Sequence, residues 1–184
     1  MKQYVSKGLL MAVITLTVGV LSVSAQGTGF AGTWALDKAK SELPAMMQSI
    51  DSITVIITQD AGQITREMKL EGGMMAAPGG GQGGGRGGGR MMMGGGQPVS
   101  FKLDGSETVA ENPRGKTTHK AKLHDGGKVF EVSSVMTLDF QGETRTIPSS
   151  ERWELLDGGA SLKVWQKRET PNGAMETTMV FTRK

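Results

Sequence analysis

The chain of 184 residues contains no cysteine, only two histidines, and only 5% aromatic residues. The missing cysteine excludes disulfide bonds, thiolate metal ligands and a cysteine nucleophile, so stability has to come from a packed core. The formal net charge is +3, and Lys2 and Lys7 at the N-terminus contribute two of these charges. Because the remaining charge is close to zero, the sequence argues against broad electrostatic binding to nucleic acid or anionic lipid.

Long apolar runs are scarce, and the one that stands out spans residues 9–23. It follows a basic start and precedes the small residues "VSAQ" at 23–26, which is the order found in a secretory signal peptide, with cleavage after Ala25. The run is short for a membrane span of about 20 residues, so an uncleaved anchor is the weaker interpretation. We expect an exported protein, periplasmic or extracellular, with one domain at 26–184 and no transmembrane span after cleavage of residues 1–25.

Helical patterns are also nearly absent, and short alternating segments separated by turn residues fill the chain beyond the signal. In "ITREMKL", for example, one face carries Ile64, Arg66, Met68 and Leu70. Turn signals such as Asp-Gly, Asn-Pro-Arg-Gly and Asp-Gly-Gly separate about nine or ten such segments. Tight turns join antiparallel strands, and a long meander tends to close on itself. The pattern predicts an all-β fold, an antiparallel meander closed into a barrel of about eight to ten strands.

One segment, residues 38–49 ("KAKSELPAMMQS"), could be helical, but Pro44 interrupts it. It is either a short lid over one end of the barrel or an irregular connection, and the second interpretation is slightly favoured. A membrane barrel is a weaker alternative for the whole chain, because such barrels need aromatic girdles and this chain has few aromatic residues.

Residues 72–97 interrupt the strand pattern with 14 glycines in 26 positions. Because glycine loses the most conformational entropy on ordering, we expect a disordered Gly/Met-rich loop inserted between two strands. A loop without function is the favoured interpretation, and an RNA-binding arm is rejected because no aromatic residues are interleaved. The loop methionines could instead dock on a partner or bind Cu(I), which prefers soft thioether ligands. These methionines are Met74, Met75, Met91, Met92 and Met93.

Two glycine-containing motifs lack the context that their chemistry requires. "AENPRGKT" at 110–117 is close to a phosphate-binding loop, but strand-like segments flank it on both sides, which indicates a β-turn. "GTGFAG" at 27–32 has the spacing of a dinucleotide-binding loop, but only the signal peptide precedes it. Neither segment predicts a nucleotide site.

Candidate catalytic and metal-binding side chains are few. His119 and His124 are five residues apart and therefore fall on opposite faces of a regular strand. We expect the first to be a solvated strand residue and the second to lie in a turn beside Asp125. No acid is paired with a base in the sequence. The carboxylates at strand positions that look exposed are Glu67, Glu131, Glu151 and Glu154. The sequence therefore predicts no enzymatic activity and no cofactor.

The segment "FAGTWALDKAKS" at 30–41 contains the Gly-x-Trp motif of Gly32 and Trp34. With Leu-Asp-Gly at 103–105, "ERWELLDGGASLKVWQ" at 151–166 and a late Pro-Asn-Gly hairpin, it resembles a family of exported bacterial lipocalin-like barrels of the calycin type. The resemblance implies that Gly32 allows a close chain passage, that Trp34 plugs one end of the barrel, and that an arginine stacks over this tryptophan. Arg183 is the first candidate for that arginine and Arg168 the second. A second lipocalin signature, Thr-Asp-Tyr, is absent.

The resemblance also implies a function, since such barrels usually bind small apolar molecules. We expect non-catalytic binding of an apolar or amphipathic molecule inside a hollow barrel, which the low aromatic content favours. The alternatives are an envelope interaction or structural protein that acts through its surface and Gly/Met loop, or a Cu(I)-binding protein. Strand parity alone selects the candidate ligand-binding residues, which are Phe101, Phe130, Val132, Met136, Leu155 and Val164.

Overall fold

The structure is a computed structural model that describes residues 29–72, 97–112, 115–140, 143–170 and 173–184. Ten β-strands dominate the described residues. They are β1 (Gly32–Leu36), β2 (Ile50–Gln59), β3 (Gln63–Gly72), β4 (Val99–Lys102), β5 (Thr108–Asn112), β6 (Gly115–His124), β7 (Val129–Phe140), β8 (Glu143–Leu156), β9 (Ser161–Thr170) and β10 (Gly173–Arg183).

All ten strands belong to one antiparallel sheet with the order β4-β3-β2-β1-β10-β9-β8-β7-β6-β5. This is a meander in which β1 joins β10, and the prediction of an all-β antiparallel barrel of about eight to ten strands is confirmed. The described residues form no ladder between β4 and β5, so the barrel is nearly closed rather than fully closed. At this seam the Lys102 backbone N–H donates to Thr108 Oγ1 at 3.4 Å.

The alternation of side chains explains which face of each strand turns inward. In β2 the buried residues are Ile53, Val55 and Ile57, and the residues between them are more exposed. Because the side-chain period of a strand is two, a one-residue slip would move this β-branched row out of the core. Burial of alternate residues therefore fixes the register of β2 against its neighbours.

Two hairpin turns share the sequence Asp-Gly-Gly and the same backbone geometry. In the turn at Asp125–Gly127 the φ angles are 50°, 64° and 88°, and at Asp157–Gly159 they are 52°, 66° and 95°. Three successive residues in the left-handed region require glycine at most positions, and aspartate is one of the few other residues that tolerates it. The repeated sequence thus specifies both the β6–β7 and the β8–β9 hairpins.

The segment at 38–49 contains two short helical pieces. Lys38–Lys40 forms one turn of 3-10 helix, and α1 (Ala45–Gln48) begins directly after Pro44. The segment is therefore neither one continuous helix nor wholly irregular, because two short helical pieces are separated by non-helical residues at 41–44. In the described part of the chain no helix is long and apolar enough to cross a membrane.

The two ends of the barrel differ in their solvent exposure. The Arg183 end contains the Asp-Gly-Gly turns and the residues around Arg183, and the α1 end contains α1 and the far ends of the β7–β8 and β9–β10 hairpins. At the α1 end, residues 143–146 of β8 and 173–176 of β10 are exposed whichever face they occupy. Both faces of these hairpins therefore reach solvent there, whereas the Arg183 end is filled.

Candidate functional site

A cluster of aromatic rings fills the interior near the Arg183 end. The ring centroids of Phe130 and Trp153 are 4.9 Å apart, and Phe101 lies 5.7 Å from Phe130. Phe30 completes the cluster at 6.0 Å from Phe130. The contacts are tilted or edge-on, which is the favourable geometry for aromatic pairs. All four side chains are buried to 1% exposure or less, so this half of the barrel leaves no room for a ligand.

Trp34 and Arg183 close the same end. The Arg183 guanidinium lies over the Trp34 ring at 4.2 Å, which is the stacking that the resemblance implied. Arg183 also donates to the backbone carbonyls of Gly29 and Gly159, each at 2.9 Å. A Cβ at Gly32 would lie 2.5 Å from Arg183 Nη1, and its φ of 146° disfavours other residues, so glycine is required for this close packing.

Beyond the aromatic cluster the interior contains a cavity of about 30 Å³. This volume holds about two water molecules. Its apolar lining residues are Met47, Val55, Ile57, Met68, Trp153, Leu162, Val164, Met179 and Phe181. Its polar lining residues are Arg66, Glu151 and Gln166. The cavity is therefore amphipathic, with a charged group facing a wall that includes three methionines.

An ion pair crosses the interior between β3 and β8. Arg66 Nη1 donates to Glu151 Oε2 at 2.6 Å, and the two side chains are only 11% and 10% exposed. Trp153 Nε1 donates to the same oxygen at 3.0 Å, and Gln166 Nε2 donates to Glu151 Oε1 at 3.2 Å. Burial alone would raise the pKa of Glu151, but the charge of Arg66 and these hydrogen bonds hold that pKa below its usual value. Glu151 is therefore ionised at neutral pH.

His119 lies next to this ion pair. Its Nδ1 shares a 2.7 Å hydrogen bond with Ser134 Oγ, and its ring packs edge-on against Phe101. Burial lowers the pKa of His119, the charge of Arg66 lowers it further, and Glu151 partly opposes them. The imidazole is therefore neutral at pH 7.

Arg168 extends the polar wall towards the α1 end. It follows Gln166 by two residues on the same face of β9 and pairs in register with Ser149 on β8. The side chain is half-buried, and burial lowers the pKa of its guanidinium while Glu151 opposes the shift. Arg168, the second candidate for stacking on Trp34, thus lies in the other half of the barrel.

The structure distributes the six predicted ligand-binding residues over the whole interior. Val164 lines the cavity, whereas Phe101 and Phe130 belong to the aromatic cluster. Val132 is buried opposite Glu151, and the partly buried Met136 and Leu155 pair with Ile147 and Leu162 respectively. The structure brings Val164 to the cavity and places Phe101 and Phe130 away from it, and their role in binding stays a prediction.

Sequence reasoning missed the charged centre of the site. Glu151 was expected to look outward, but it is buried and paired, and His119 was expected to be solvated, but it is buried at 9% exposure. The signal for both was strand parity. Glu151 shares a face with Trp153, and His119 shares one with Ala121. The prediction that His119 and His124 face opposite ways is confirmed, since His124 contacts Glu131 on the outer surface.

Two other sequence features are clarified only in part. The two ends of the segment that is close to a phosphate-binding loop lie within β5 and β6, so a strand stands where a nucleotide site would need a helix. β3 ends at Gly72 and β4 begins at Val99, at the borders of the predicted Gly/Met insertion. The five loop methionines lie outside the described residues.

The described residues contain no group of three or more His, Asp or Glu side chains that could hold a metal ion.

No protein-family model matches the chain, and no curated protein does. Among solved structures, the chain is similar to the zebrafish ileal bile acid-binding protein in complex with cholic acid. The TM-score is 0.47 at 11% sequence identity, and the alignment covers 84% of this chain and 98% of the other. Any function has therefore to be inferred from the residues of this chain.

Proposed function

We propose that this protein is an exported, non-catalytic barrel that binds a small amphipathic molecule in its interior. The observation that carries the proposal is the cavity beside the Arg66–Glu151 pair, because it combines a fixed polar group with an apolar wall. Ligand sites are typically concave and mostly apolar, with a few polar groups that orient the ligand. This cavity has that composition, and it lies towards the exposed α1 end.

Binding requires the cavity to expand, because a volume of about 30 Å³ has room for only about two water molecules. Three of its lining residues, Met47, Met68 and Met179, come from three different elements of the structure. Methionine is unbranched and changes rotamer readily, so it adapts to shapes that a branched side chain would reject. We expect these three side chains to move apart when a ligand enters, while the aromatic cluster stays in place.

The proposed export rests on the N-terminal sequence, with its basic, apolar and small-residue segments. Native mass spectrometry of the protein purified from its own cells without detergent tests it. A chain that begins at Gln26 is expected. A chain that retains residues 1–25 would contradict export by this route.

The binding function is tested with the neutral fluorescent probe N-phenyl-1-naphthylamine, whose emission rises in an apolar site. We expect saturable binding by the wild-type chain. Met179→Trp fills the cavity and should weaken binding by about tenfold or more, which corresponds to about 1.4 kcal/mol. Thr182→Trp is the matched control, because Thr182 is exposed on the opposite face of the same strand.

Two results would contradict this function: no saturable rise in emission with the wild-type chain, or equal affinities for the two tryptophan variants. Circular dichroism verifies that each variant is folded. If Met179→Trp does not fold, Val164→Phe fills the cavity from the neighbouring strand, where Val164 pairs with Met179.

A further inference from the structure

We infer that the cavity binds an uncharged alcohol, whose hydroxyl group accepts a hydrogen bond from Arg66 and donates one to Gln166. This inference rests on the small-molecule-binding function proposed above and specifies the chemical class of the ligand. A hydrogen-bond donor and an acceptor, Arg66 and Gln166, line the same cavity, and each is held by one oxygen of the Glu151 carboxylate.

Arg66 keeps hydrogen-bond donors for a ligand. A guanidinium carries five N–H donors. Within the described part of the chain, the Arg66 side chain makes its hydrogen bond through Nη1, which donates to Glu151 Oε2 at 2.6 Å. Its Cζ lies 5.4 Å from the centroid of the Trp153 ring and 5.6 Å from that of Phe101, so two aromatic rings also hold the guanidinium in place. The remaining N–H groups therefore have a fixed position.

Gln166 keeps a hydrogen-bond acceptor. Its Nε2 donates to Glu151 Oε1 at 3.2 Å. Because the ionised carboxylate only accepts hydrogen bonds, the amide must turn its NH₂ group towards Glu151. The carbonyl oxygen Oε1 is thus left for another donor, and no side chain or backbone N–H of the described residues donates to it.

These groups of Arg66 and Gln166 are not sealed inside the protein. Every side-chain nitrogen or oxygen of the described residues that is closed off from solvent has a hydrogen-bond partner. The remaining donors of Arg66 and Oε1 of Gln166 therefore reach open space, and both residues line the cavity. A purely apolar ligand would bury them without partners, which is costly. The ligand therefore has to carry a group that both accepts and donates.

A hydroxyl group has both properties, since its oxygen accepts and its proton is donated. An ether or ketone oxygen could accept from Arg66 but would leave Gln166 Oε1 without a donor. A carboxylate also has no proton to donate, and it would place a second negative charge beside Glu151. The apolar part of the alcohol lies against the methionines in the cavity lining, which are Met47, Met68 and Met179.

Displacement of the neutral probe N-phenyl-1-naphthylamine at pH 7.5 tests the inference with three competing molecules. They are 1-octanol, its isomer heptyl methyl ether, which accepts hydrogen bonds but donates none, and octanoate. The wild-type chain should bind 1-octanol about fivefold or more tightly than the ether, the size of one hydrogen bond between uncharged groups. It should also bind 1-octanol more tightly than octanoate.

Gln166→Met removes the acceptor while it keeps an unbranched side chain, and it should bring the affinities for 1-octanol and the ether close together. Lys163→Met is the matched control, because Lys163 is exposed on the outer face of the same strand, and it should leave the preference unchanged. Circular dichroism verifies folding. In the wild-type chain, the side-chain amide signal of Gln166 in nitrogen-15 NMR spectra should shift more with 1-octanol than with the ether, which keeps the test decisive if Gln166→Met does not fold.

The outcomes separate the alcohol selectivity from the function on which it rests. If the probe binds but 1-octanol competes no better than the ether or octanoate, the alcohol selectivity is overturned and small-molecule binding stands. A preference that survives in Gln166→Met, or that falls equally in Lys163→Met, shows that Gln166 does not bind the hydroxyl group. An amide signal of Gln166 that stays in place with 1-octanol has the same meaning. If neither the probe nor any of the three molecules binds, both proposals are wrong.

Discussion

The two halves of the barrel interior are built from the same ten strands, yet they differ in chemistry. Near the Arg183 end, aromatic side chains contact one another directly. Arg183 there donates hydrogen bonds to Gly29 in the N-terminal segment and to Gly159 in a hairpin turn. Towards the α1 end, the inward positions carry an ion pair, a neutral histidine, a second arginine and flexible methionines. The first half is filled by buried apolar rings, and the second half has polar groups and a cavity.

The difference indicates a division of roles between stability and binding. Close-packed aromatic rings contribute the most burial for each residue, whereas polar groups and cavities reduce local stability. A binding site has to be drawn from the less stable part of a protein, because side chains there can move at low cost. If stability and ligand binding are separated in this way, substitutions in the two halves should have unequal effects on the free energy of unfolding.

The largest loss of stability is expected from truncation of a side chain within the aromatic cluster. Phe130→Ala should lower the free energy of unfolding by about 3–5 kcal/mol, because the fully buried ring leaves a cavity between Trp153 and Phe101. Met136→Ala, on the same strand towards the α1 end, should cost about 1 kcal/mol because its side chain is only partly buried. Urea denaturation measures both values. Equal losses would contradict the division between the two halves.

The second largest loss of stability is expected when the buried ion pair of Arg66 and Glu151 is broken. Arg66→Met alone should lower the free energy of unfolding by about 2–3 kcal/mol, since it leaves the Glu151 carboxylate buried without its counter-charge. The double variant Arg66→Met/Glu151→Gln should recover to within about 1 kcal/mol of the wild type. Chemical denaturation of all three chains forms the comparison. A double variant that is no more stable than Arg66→Met would show that the pair is not the cause.

A smaller loss of stability is expected at the Arg183 end of the barrel. Arg183→Ala should cost about 2 kcal/mol, because it removes charge-assisted hydrogen bonds to Gly29 and Gly159 and the stacking on Trp34. Arg152→Ala removes an exposed arginine that pairs with Glu131 and should cost less than about 1 kcal/mol. Thermal unfolding followed by circular dichroism compares the two. A similar decrease in Tm for both variants would argue against the proposed role of Arg183.

The smallest effect is a pH dependence of stability. The pKa of His119 in the folded state is lowered, mainly by burial, from the ordinary value of 6.5, so the unfolded chain binds more protons as pH falls below that value. Stability should therefore be complete above pH 6.5 and decrease as pH falls towards the lowered pKa. Glu151, with a pKa below 4.5, contributes only at lower pH.

Denaturation at pH 7.5 and pH 5.5 measures this effect. His119→Asn should reduce the difference in stability between the two pH values, and His124→Asn should leave it close to that of the wild type. His124 is the matched control because it lies on the outer surface of the same strand. An unchanged difference in His119→Asn would mean that another group is responsible.

The fold was accessible from sequence because it depends on local patterns. Alternation placed Ile64, Arg66 and Met68 on one face, and repeated Asp-Gly-Gly turns marked hairpins, so the antiparallel barrel followed. The structure adds the open seam between β4 and β5. That seam depends on how two consecutive strands diverge after the turn between them, which periodicity does not determine.

The site was less accessible because its residues are far apart in sequence. Arg66 and Glu151 are separated by 85 positions, so neither charge revealed its partner, and Glu151 was judged exposed. The size of the cavity could not be predicted from the amino-acid composition either. Few aromatic residues suggested a hollow interior, yet four of them pack together inside it: Phe30, Phe101, Phe130 and Trp153.

The most direct test of ligand binding in the cavity is a carbon-13 methyl-methionine NMR spectrum recorded during titration with octanoate and, separately, with 1-octanol. Single Met→Leu substitutions, which nearly conserve volume, assign the signals. We expect the methyl signals of Met47, Met68 and Met179 to shift together and to saturate with at least one of the two molecules, since these three side chains line the cavity. If all three signals stay in place at saturating concentrations of both molecules, the interior is not the binding site.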